Sequence, residues 1–255
     1  YFSETGDFNF NLLFNINQFP SRRYSQSKSF TYIDSAKNWI KYQKIFFPKN
    51  KIFFLKTHNS LEYYFGNKFT TSSETLGGIY VVRDPRNVVT SMTNHYSMNF
   101  NEAYNKMIDD NASLSLKDLE GDLSNFSFLG NWANHYRSWK NTFEFKTLII
   151  KYEDLEKNAY KEFWKILTFI EEITNKNQDI NKKKFEKAIN STDFSNLKRQ
   201  EKSFGFKESP SYKKNNKTNF FNLGFKNKWQ EILPIEISDK IKDKFYDELK
   251  ELEYE

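Results

Sequence analysis

Cysteine is absent from the 255 residues of this chain. Its absence excludes disulfides, thiolate zinc sites and cysteine nucleophiles, and it fits a reducing compartment. No apolar stretch approaches the roughly 20 residues that a membrane-spanning helix needs, and no signal peptide is visible. With only three histidines, a metal site is unsupported. We therefore expect a cytoplasmic protein with no metal and no membrane span.

Aromatic side chains are abundant, at 18 % of the chain with 27 phenylalanines, so material for a core is plentiful. The length suits one large domain, and we predict a single domain over residues 1–255. The net charge of +6 permits an anionic ligand, but the charge is spread along the chain. Nucleic-acid binding is not expected, because no recognisable binding module orders the lysines and aromatics.

Three short apolar runs predict strands that are buried on both faces. Helical patterns lie between and after them, including apolar stripes within 163–170 and 241–252. Strands separated by helices indicate an α/β fold with a central parallel sheet. The three runs are KIFFL at 51–55, GIYVV at 78–82 and KTLIIK at 146–151.

A lysine-rich segment, 197–219, contains few aliphatic residues. Its composition predicts a solvated loop, and the functional alternative is a basic lid over an anionic ligand.

Each predicted strand is followed directly by polar side chains. In an open α/β sheet, ligands bind just beyond the carboxyl ends of the strands. The pattern therefore places cations, an imidazole, a phenol and carboxylates at one edge of the sheet. The three groups are Lys56-Thr57-His58, Arg83-Asp84-Pro85-Arg86 and Tyr152-Glu153-Asp154.

The second group has the features of a helix start that binds an anion. Asp84 can cap the helix, and Pro85 suits its first position. The first turn then presents unpaired N–H groups, and Arg83 adds a guanidinium that fits a phosphate. Ser91 offers a hydroxyl about two turns later. The structural alternative is an ion pair of Arg83 with Asp84 or Asp154.

His58 has two interpretations. A lone histidine at a strand end is often a hydrogen-bonded structural residue, but histidine can also act as a general base near neutral pH. Lys56 lies two residues earlier, so it points to the same side of an extended chain.

The segments FFLKTH, IYVVRDPRNVVTSMTNHY and LIIKYEDL together resemble the sulfotransferase family, as does NWANHYRSW at 131–139. Members move a sulfuryl group from 3′-phosphoadenosine 5′-phosphosulfate (PAPS) to a hydroxyl or amine and release 3′-phosphoadenosine 5′-phosphate (PAP). The resemblance runs from about residue 50 to the end and is bacterial in character. It implies a three-layer fold like that of the P-loop NTPases, with a central parallel sheet and no metal requirement.

The resemblance also implies roles for individual residues. His58 resembles the general base, and Lys56 resembles the lysine that supports the transferring sulfuryl group. The remaining residues resemble those that bind the nucleotide. They are Arg83 and Ser91 for the 3′-phosphate, Tyr152 for adenine, Thr192 and Phe194 for packing around the nucleotide, and Gly224 for a backbone N–H.

The family's opening motif is missing from this sequence. Members begin with a strand and a loop, roughly Tyr-Pro-Lys-Ser-Gly, that holds the 5′-phosphosulfate. Nothing in residues 1–50 matches this motif. The segment NQFPSRRYSQS has a proline and some serines, but it has no glycine and no strand is expected before it. We therefore expect a chain truncated before residue 1, without its first strand and P-loop-like turn, and without appreciable activity alone.

A second departure lies near the C-terminus, where members often have Arg-Lys-Gly before a tryptophan. Here Asn222 and Leu223 stand in place of the two cations, while Gly224 and Trp229 remain. Lys226 and Lys228 are nearby, but at a different spacing.

The leading hypothesis is PAPS-dependent sulfuryl transfer to a small-molecule, carbohydrate or lipid hydroxyl, or to an amine; a homo-oligomer is compatible with it. The alternative is a non-catalytic module that binds PAP. A P-loop kinase, related by fold, is disfavoured by His58.

Overall fold

The computed structural model of the chain describes residues 7–10, 12, 17–115, 121–176, 179–206 and 219–255. It divides the chain into two units, each built from separate segments. The predicted single domain stays a prediction. The first unit comprises Tyr1–Asn15, Val81–Asn105 and Ile150–Glu255, and the second comprises Ile16–Tyr80 and Lys106–Ile149.

Short strands form three hydrogen-bonded pairs in the described part of the chain. The first pair is parallel and joins β1 (Asn17–Gln18) to β2 (Leu55–Lys56). The second joins β3 (Gly77–Val82) to β6 (Lys146–Lys151), and the third is antiparallel and joins β4 (Ser113–Leu114) to β5 (Ser127–Phe128).

The prediction that the strands are buried on both faces is wrong for the first two apolar runs. In the first apolar run only Leu55 is in a strand, and Ile52, Phe54 and Leu55 are exposed. In β3, Ile79 and Val81 are exposed, because the side chains of a strand alternate between its two faces. An apolar run thus identified the position of β3 but not which of its faces is covered.

The helices follow the predicted pattern in the regions that have clear periodicity. The apolar positions from 163 to 170 lie within α6, and Ile241, Phe245, Leu249 and Leu252 are all buried near the C-terminus. The helices are α1 (Tyr32–Phe46), α2 (Pro85–Tyr96), α3 (Phe100–Ile108), α4 (Trp132–Lys140), α5 (Tyr152–Lys157), α6 (Ala159–Thr174), α7 (Lys182–Ser191), α8 (Phe194–Phe204), α9 (Trp229–Ile232), α10 (Ile235–Lys244) and α11 (Tyr246–Glu251).

The lysine-rich segment is a helix in its first part. Helix α8 extends to Phe204, so the loop predicted from residue 197 is wrong up to that point. Asp193 caps the helix by accepting from the Ser195 N–H, and this cap fixes its start. Residues 207–218, where a lid was the functional alternative, lie outside the described residues.

An aromatic core organises the second unit. Helix α1 buries Trp39, whose ring stacks on Phe126 at a centroid distance of 5.8 Å and an interplanar angle of 8°. Rings of this size contribute most of the apolar area that such a core removes from water. The cluster comprises Phe19, Ala36, Trp39, Tyr42, Phe69, Phe126 and Phe128.

A strand and turn precede α1, where the sequence predicted no strand. β1 runs parallel to β2, and the Phe19 N–H donates to the Lys56 carbonyl at 2.9 Å. The turn from Pro20 to Ser25 therefore follows β1 at the edge where Thr57 and His58 follow β2. This turn has no glycine.

In the first unit, α2 packs against α9 and α10, and α5 packs against α6. Asp84 accepts from the Arg86 N–H and Pro85 takes the first helical position, so the predicted start of α2 is confirmed. Val89, on the apolar face of α2, is fully buried.

Candidate functional site

Arg83 and Tyr152 lie together in the first unit. Arg83 follows β3 and Tyr152 follows β6, and these two strands are hydrogen-bonded neighbours. The guanidinium carbon of Arg83 lies 4.3 Å from the centroid of the Tyr152 ring. Such a contact holds the guanidinium flat and leaves its edge N–H groups available for a ligand. Arg83 and Tyr152, both predicted from the sequence to bind the nucleotide, are therefore in contact.

The Nε of Arg83 is buried and has no hydrogen-bond partner among the described residues. A buried donor without a partner costs about 1–3 kcal/mol. An anion bound at the guanidinium would satisfy this donor, and a phosphate suits its fork geometry. The side chain of Arg83 thus has the character of a binding group rather than of a completed structural contact.

Acidic and phenolic groups surround the guanidinium of Arg83. Burial raises the pKa of Glu156, and the charge of Arg83 acts against that rise. Burial also raises the pKa of Tyr152, whose hydroxyl is hydrogen-bonded to Glu156. The phenol therefore stays protonated and donates to Glu156, which fixes the ring that supports Arg83.

Arg86, the second arginine of the motif, makes contacts that hold the fold together. Its Nε and Nη2 bond the carboxylate of Asp84 at 2.9 and 2.8 Å, and both residues are buried. The guanidinium carbon lies 4.0 Å from the Trp229 ring centroid, and Nη2 also donates to the Tyr254 carbonyl. The ion pair with Asp84, which the sequence offered as the alternative for Arg83, is thus formed by Arg86.

Tyr254, near the C-terminus, is linked through Glu153 to the backbone that follows β3. Glu153 accepts from the Asp84 N–H at 3.1 Å and from the Tyr254 hydroxyl at 2.7 Å. Burial, followed by this contact with Glu153, raises the pKa of Tyr254, so the phenol keeps its proton. The backbone that leads from Arg83 into α2 is therefore held from outside its own helix.

One face of α2 holds the segment from Asn222 to Trp229. Asn222 donates to Asn94 at 3.2 Å, and the Trp229 N–H donates to Asn87 at 3.0 Å. Ser91 lies four residues after Asn87 and three before Asn94, so helical spacing places it on the same face. The side chain of Ser91 is exposed.

Phe194 and Gly224 are also brought together. Gly224 has a φ of +56°, and a Cβ added there would lie 2.6 Å from the Phe194 ring. Only glycine permits this approach, because L-residues avoid positive φ and because the ring leaves no room. Thr192 follows α7 as its C-cap, and its hydroxyl donates to the Ile189 carbonyl at 3.0 Å. Its predicted role in packing around a nucleotide stays a prediction.

Substituting Gly224 with alanine is expected to destabilise the chain more than the same change at Gly66. Both glycines have positive φ, at +56° and +76°, but nothing lies within 4 Å of a Cβ at Gly66. Both substitutions therefore incur a backbone cost of about 1–3 kcal/mol. Gly224→Ala adds the clash with Phe194, about 1–3 kcal/mol for overpacking. Urea unfolding of the two variants measures the difference, and equal losses would contradict the packing described here.

Lys198 is a basic residue that the sequence analysis did not single out. Its Nζ donates to the Asn222 carbonyl at 2.9 Å and lies 5.9 Å from the Phe194 ring centroid. The ammonium group of Lys198 therefore lies beside Asn222, the residue that stands in place of a cation found in many family members. Lys228, considered as a substitute, instead pairs with Glu231 at 3.4 Å. The sequence offered one signal for Lys198: it lies four residues after Phe194, and this spacing puts both side chains on one face of a helix.

Glu201 fixes the start of the same segment. Its carboxylate is buried and accepts from the N–H groups of Phe220 and Phe221, at 2.6 and 2.9 Å. The loop that contains Asn222 and Gly224 is thus tied to α8 at one end and to α2 at the other.

Lys56 and His58 belong to the second unit, while the other six predicted site residues belong to the first. Both side chains are exposed at the end of β2. The His58 carbonyl lies 3.1 Å from Nε2 of His135. The exposed imidazole of His58 is thus attached to a backbone that is itself held in place.

A cavity of about 450 Å³ opens elsewhere in the second unit, lined by residues from the ranges 61–70 and 138–145. It contains none of the predicted site residues. Within the described ranges, acidic and histidine side chains form no group of three or more that could hold a metal ion. Among the described helices, none is long and apolar enough to cross a membrane.

Comparison with known proteins identifies the family. The sulfotransferase domain model matches residues 49–253. The chain belongs to the sulfotransferase family. The amine sulfotransferase of Oryctolagus cuniculus is 24 % identical over 177 residues, which cover 68 % of this chain and 54 % of that protein. This sulfotransferase chain therefore spans about half the length of the curated relative that it matches.

Two solved structures share its fold. Mouse sulfotransferase SULT7A1 complexed with PAP is 20 % identical with a TM-score of 0.54, covering 82 % of this chain and 70 % of that one. A retinol dehydratase in complex with androsterone and the inactive cofactor PAP is 16 % identical with a TM-score of 0.52, covering 81 % and 55 %. The predicted family and its P-loop-like α/β fold are confirmed. The expected bacterial character stays a prediction, and the curated relative named above is mammalian.

Proposed function

We propose that the chain binds PAPS and serves sulfuryl transfer to a hydroxyl or amine acceptor. The observation that supports this most strongly is the buried, unpartnered Nε of Arg83, held on the Tyr152 ring beyond two neighbouring strands. A phosphate is the ligand that a guanidinium fork fits best at such a strand end. The two solved relatives contain PAP, a nucleotide with two phosphates.

The first unit is proposed to bind the nucleotide. Arg83 and Ser91 would bind the 3′-phosphate, and Tyr152 would contact adenine through the parts of its ring that Arg83 leaves open. The Gly224 N–H and the Nζ of Lys198 would add donors at the loop where Asn222 replaces a cation. Thr192 and Phe194 would pack around the nucleotide.

Two residues, His58 and Lys56, are proposed to supply the chemistry. As the acceptor oxygen or nitrogen forms its bond to sulfur, the bond from sulfur to the 5′-phosphate oxygen of PAPS breaks and PAP leaves. His58 would take the proton of the acceptor, a contribution of about 10²–10⁴-fold in rate for a general base. Lys56 would stabilise charge on the transferring group. No step in this scheme uses a metal.

The turn after β1 is proposed to limit the rate of the chain as it stands. Ser21, Arg22 and Arg23 follow Pro20 where a family member would have Lys-Ser-Gly. Arg22 lies 3.6 Å from the carboxylate of Asp122, which holds its charge away from a ligand. Without the glycine, the turn has fewer ways to direct backbone N–H groups at a phosphosulfate.

The triple variant Ser21→Lys/Arg22→Ser/Arg23→Gly tests this function. We expect the unchanged chain to transfer radiolabelled sulfate from PAPS to phenol, amine or sugar acceptors at close to the background rate. The triple variant is expected to raise that rate at least tenfold, since it adds the cation and the glycine. Adding His58→Gln should return the rate to background, because glutamine cannot take the proton.

A non-catalytic module that binds PAP is the second candidate, and the residues of the turn after β1 favour it. In that case the triple variant would bind PAP and still show no transfer. Rapid transfer by the unchanged chain, at rates that Ser21→Lys/Arg22→Ser/Arg23→Gly does not alter, would contradict the proposed role of the turn. The acceptor class, self-association and a cytoplasmic location remain part of the proposal.

A further inference from the structure

Helix α4, which includes most of the segment NWANHYRSW, directs three side chains at the backbone that follows β2. His135, Ser138 and Trp139 share one face of the helix by their spacing. Nε2 of His135 lies 3.1 Å from the His58 carbonyl, and Trp139 Nε1 donates to the Asn59 carbonyl at 3.0 Å. Ser138 accepts from the Leu61 N–H at 2.9 Å. Much of the backbone from residue 58 to 61 is thus bonded to a single helix.

The opposite side of this backbone is bonded as well. The buried amide of Asn59 accepts from the Phe128 N–H at 2.9 Å, and the Ser60 N–H donates to the Phe128 carbonyl at 2.8 Å. The Asn59 N–H donates to Thr57 at 3.0 Å. The backbone beside His58 is therefore fixed on both sides, while the His58 side chain is exposed.

The surroundings of His135 determine its tautomer. A carbonyl only accepts hydrogen bonds, so Nε2 must bear the proton that it shares with the His58 carbonyl. Nδ1 of a neutral ring is then an acceptor, and the Tyr80 hydroxyl, 2.9 Å away, donates to it. Burial lowers the pKa of His135 and raises that of Tyr80, so both rings are neutral near pH 7. Tyr80, His135 and the His58 carbonyl thus form one directed chain of hydrogen bonds.

We propose that His135, oriented by Tyr80, is a positioning residue that fixes the His58 backbone and thereby aims the His58 imidazole at the acceptor. The proposal rests on the proposed function of His58 as the base. His135 itself does not contact the reacting atoms in this scheme. Its effect is to keep the exposed imidazole of His58 attached to an ordered backbone, so that less freedom is lost when an acceptor binds.

Nuclear magnetic resonance can test this arrangement in the full chain, because there are only three histidines to assign. Long-range ¹H–¹⁵N correlation at pH 7 is expected to show His135 as a single tautomer with the proton on Nε2. Tyr80→Phe removes the donor to Nδ1 and should shift the Nδ1 resonance of His135, while the His58 carbonyl still holds the proton on Nε2. Tyr63→Phe, at an exposed tyrosine of the same unit, should leave that resonance unchanged. An Nδ1-protonated His135, or an Nδ1 resonance that Tyr80→Phe does not shift, would overturn the proposal.

Hydrogen exchange tests the effect on the backbone. His135→Ala is expected to speed exchange of the Ser60 amide about tenfold without changing the amides of α6, since one bond to the local segment is lost. His135→Gln should restore slow exchange, because its amide can still donate to the His58 carbonyl. Unchanged exchange at Ser60 in His135→Ala would overturn the proposal.

The assay on the Ser21→Lys/Arg22→Ser/Arg23→Gly background separates positioning from base catalysis. There, His135→Ala should lower kcat while the KM for PAPS stays within twofold, and His135→Gln should recover most of kcat. Loss of the proposed function would appear as no transfer in any variant, with the tautomer and exchange results still standing. A kcat that His135→Ala leaves unchanged would overturn the positioning role.

Discussion

We expect Arg83→Gln to lower the affinity of the chain for PAP by about 10- to 150-fold. The factor follows from the loss of hydrogen bonds between a charged donor and a phosphate, worth about 1.5–3 kcal/mol. The buried Nε of Arg83 lacks a partner, and the Tyr152 ring already holds the guanidinium in place. Little ordering is therefore needed when the phosphate binds. Isothermal titration calorimetry at fixed salt measures the change, since phosphate binding depends on ionic strength.

Adenosine 5′-phosphate tests the proposal that Arg83 binds the 3′-phosphate. It lacks the 3′-phosphate, so Arg83→Gln should change its affinity by less than threefold. Arg137→Gln, at an exposed arginine of α4, makes the same change of charge and should leave PAP affinity unchanged. Lys198→Gln should show a smaller loss, since its cation is solvated. Equal weakening of both nucleotides by Arg83→Gln would indicate a structural role for Arg83 instead.

We expect Arg86→Gln to lower the free energy of unfolding by about 3–5 kcal/mol. The substitution leaves the Asp84 carboxylate buried without the cation that bonds it through Nε and Nη2. It also removes the stacking on Trp229 and the hydrogen bond to the Tyr254 carbonyl. Urea unfolding at pH 7 measures the loss.

The exposed pair of Lys157 and Asp154 provides the control for Arg86. Its charges lie 3.9 Å apart on the surface of α5, so Lys157→Gln should cost less than about 1 kcal/mol. The double variant Asp84→Asn/Arg86→Gln should recover part of the stability that Arg86→Gln loses, because no carboxylate is then left unpaired. A loss for Arg86→Gln as small as that for Lys157→Gln would contradict the assigned role of the buried pair.

Local signals in the sequence predicted the start of α2 and the apolar stripe at the C-terminus. A cap depends on residues that are neighbours in sequence, as Asp84 and the Arg86 N–H are. A helical stripe likewise repeats within a few turns, and Ile241 and Leu249 are fully buried as predicted. Both features need no knowledge of distant segments.

The sequence could not predict that Arg86 forms the buried ion pair with Asp84 while Nε of Arg83 lacks a partner among the described residues. The two arginines have the same chemistry and lie within one short motif. Arg86 contacts the Trp229 ring and donates to the Tyr254 carbonyl, and both residues are far away in the sequence. The contact of Phe194 with Gly224 is similarly distant. Burial of the first apolar run was predicted wrongly because it depends on which elements cover each face of a strand.

The proposed functional roles rest on the family motif and not on patterns of burial. The motif directed attention to His58, whose side chain is exposed, but it did not indicate how the His58 backbone is held. The bonds from His135 and Trp139 depend on the placement of α4 and appear only in three dimensions.

Titration of the unchanged chain with PAP and with adenosine 5′-phosphate tests whether the chain binds the 3′-phosphate of PAP. We expect saturable binding of one PAP per chain, at least tenfold tighter than adenosine 5′-phosphate at the same salt concentration. That result would assign the discrimination to the 3′-phosphate and to the unit that contains Arg83. Equal affinities for the two nucleotides, or no binding of PAP, would contradict the proposed binding of PAP.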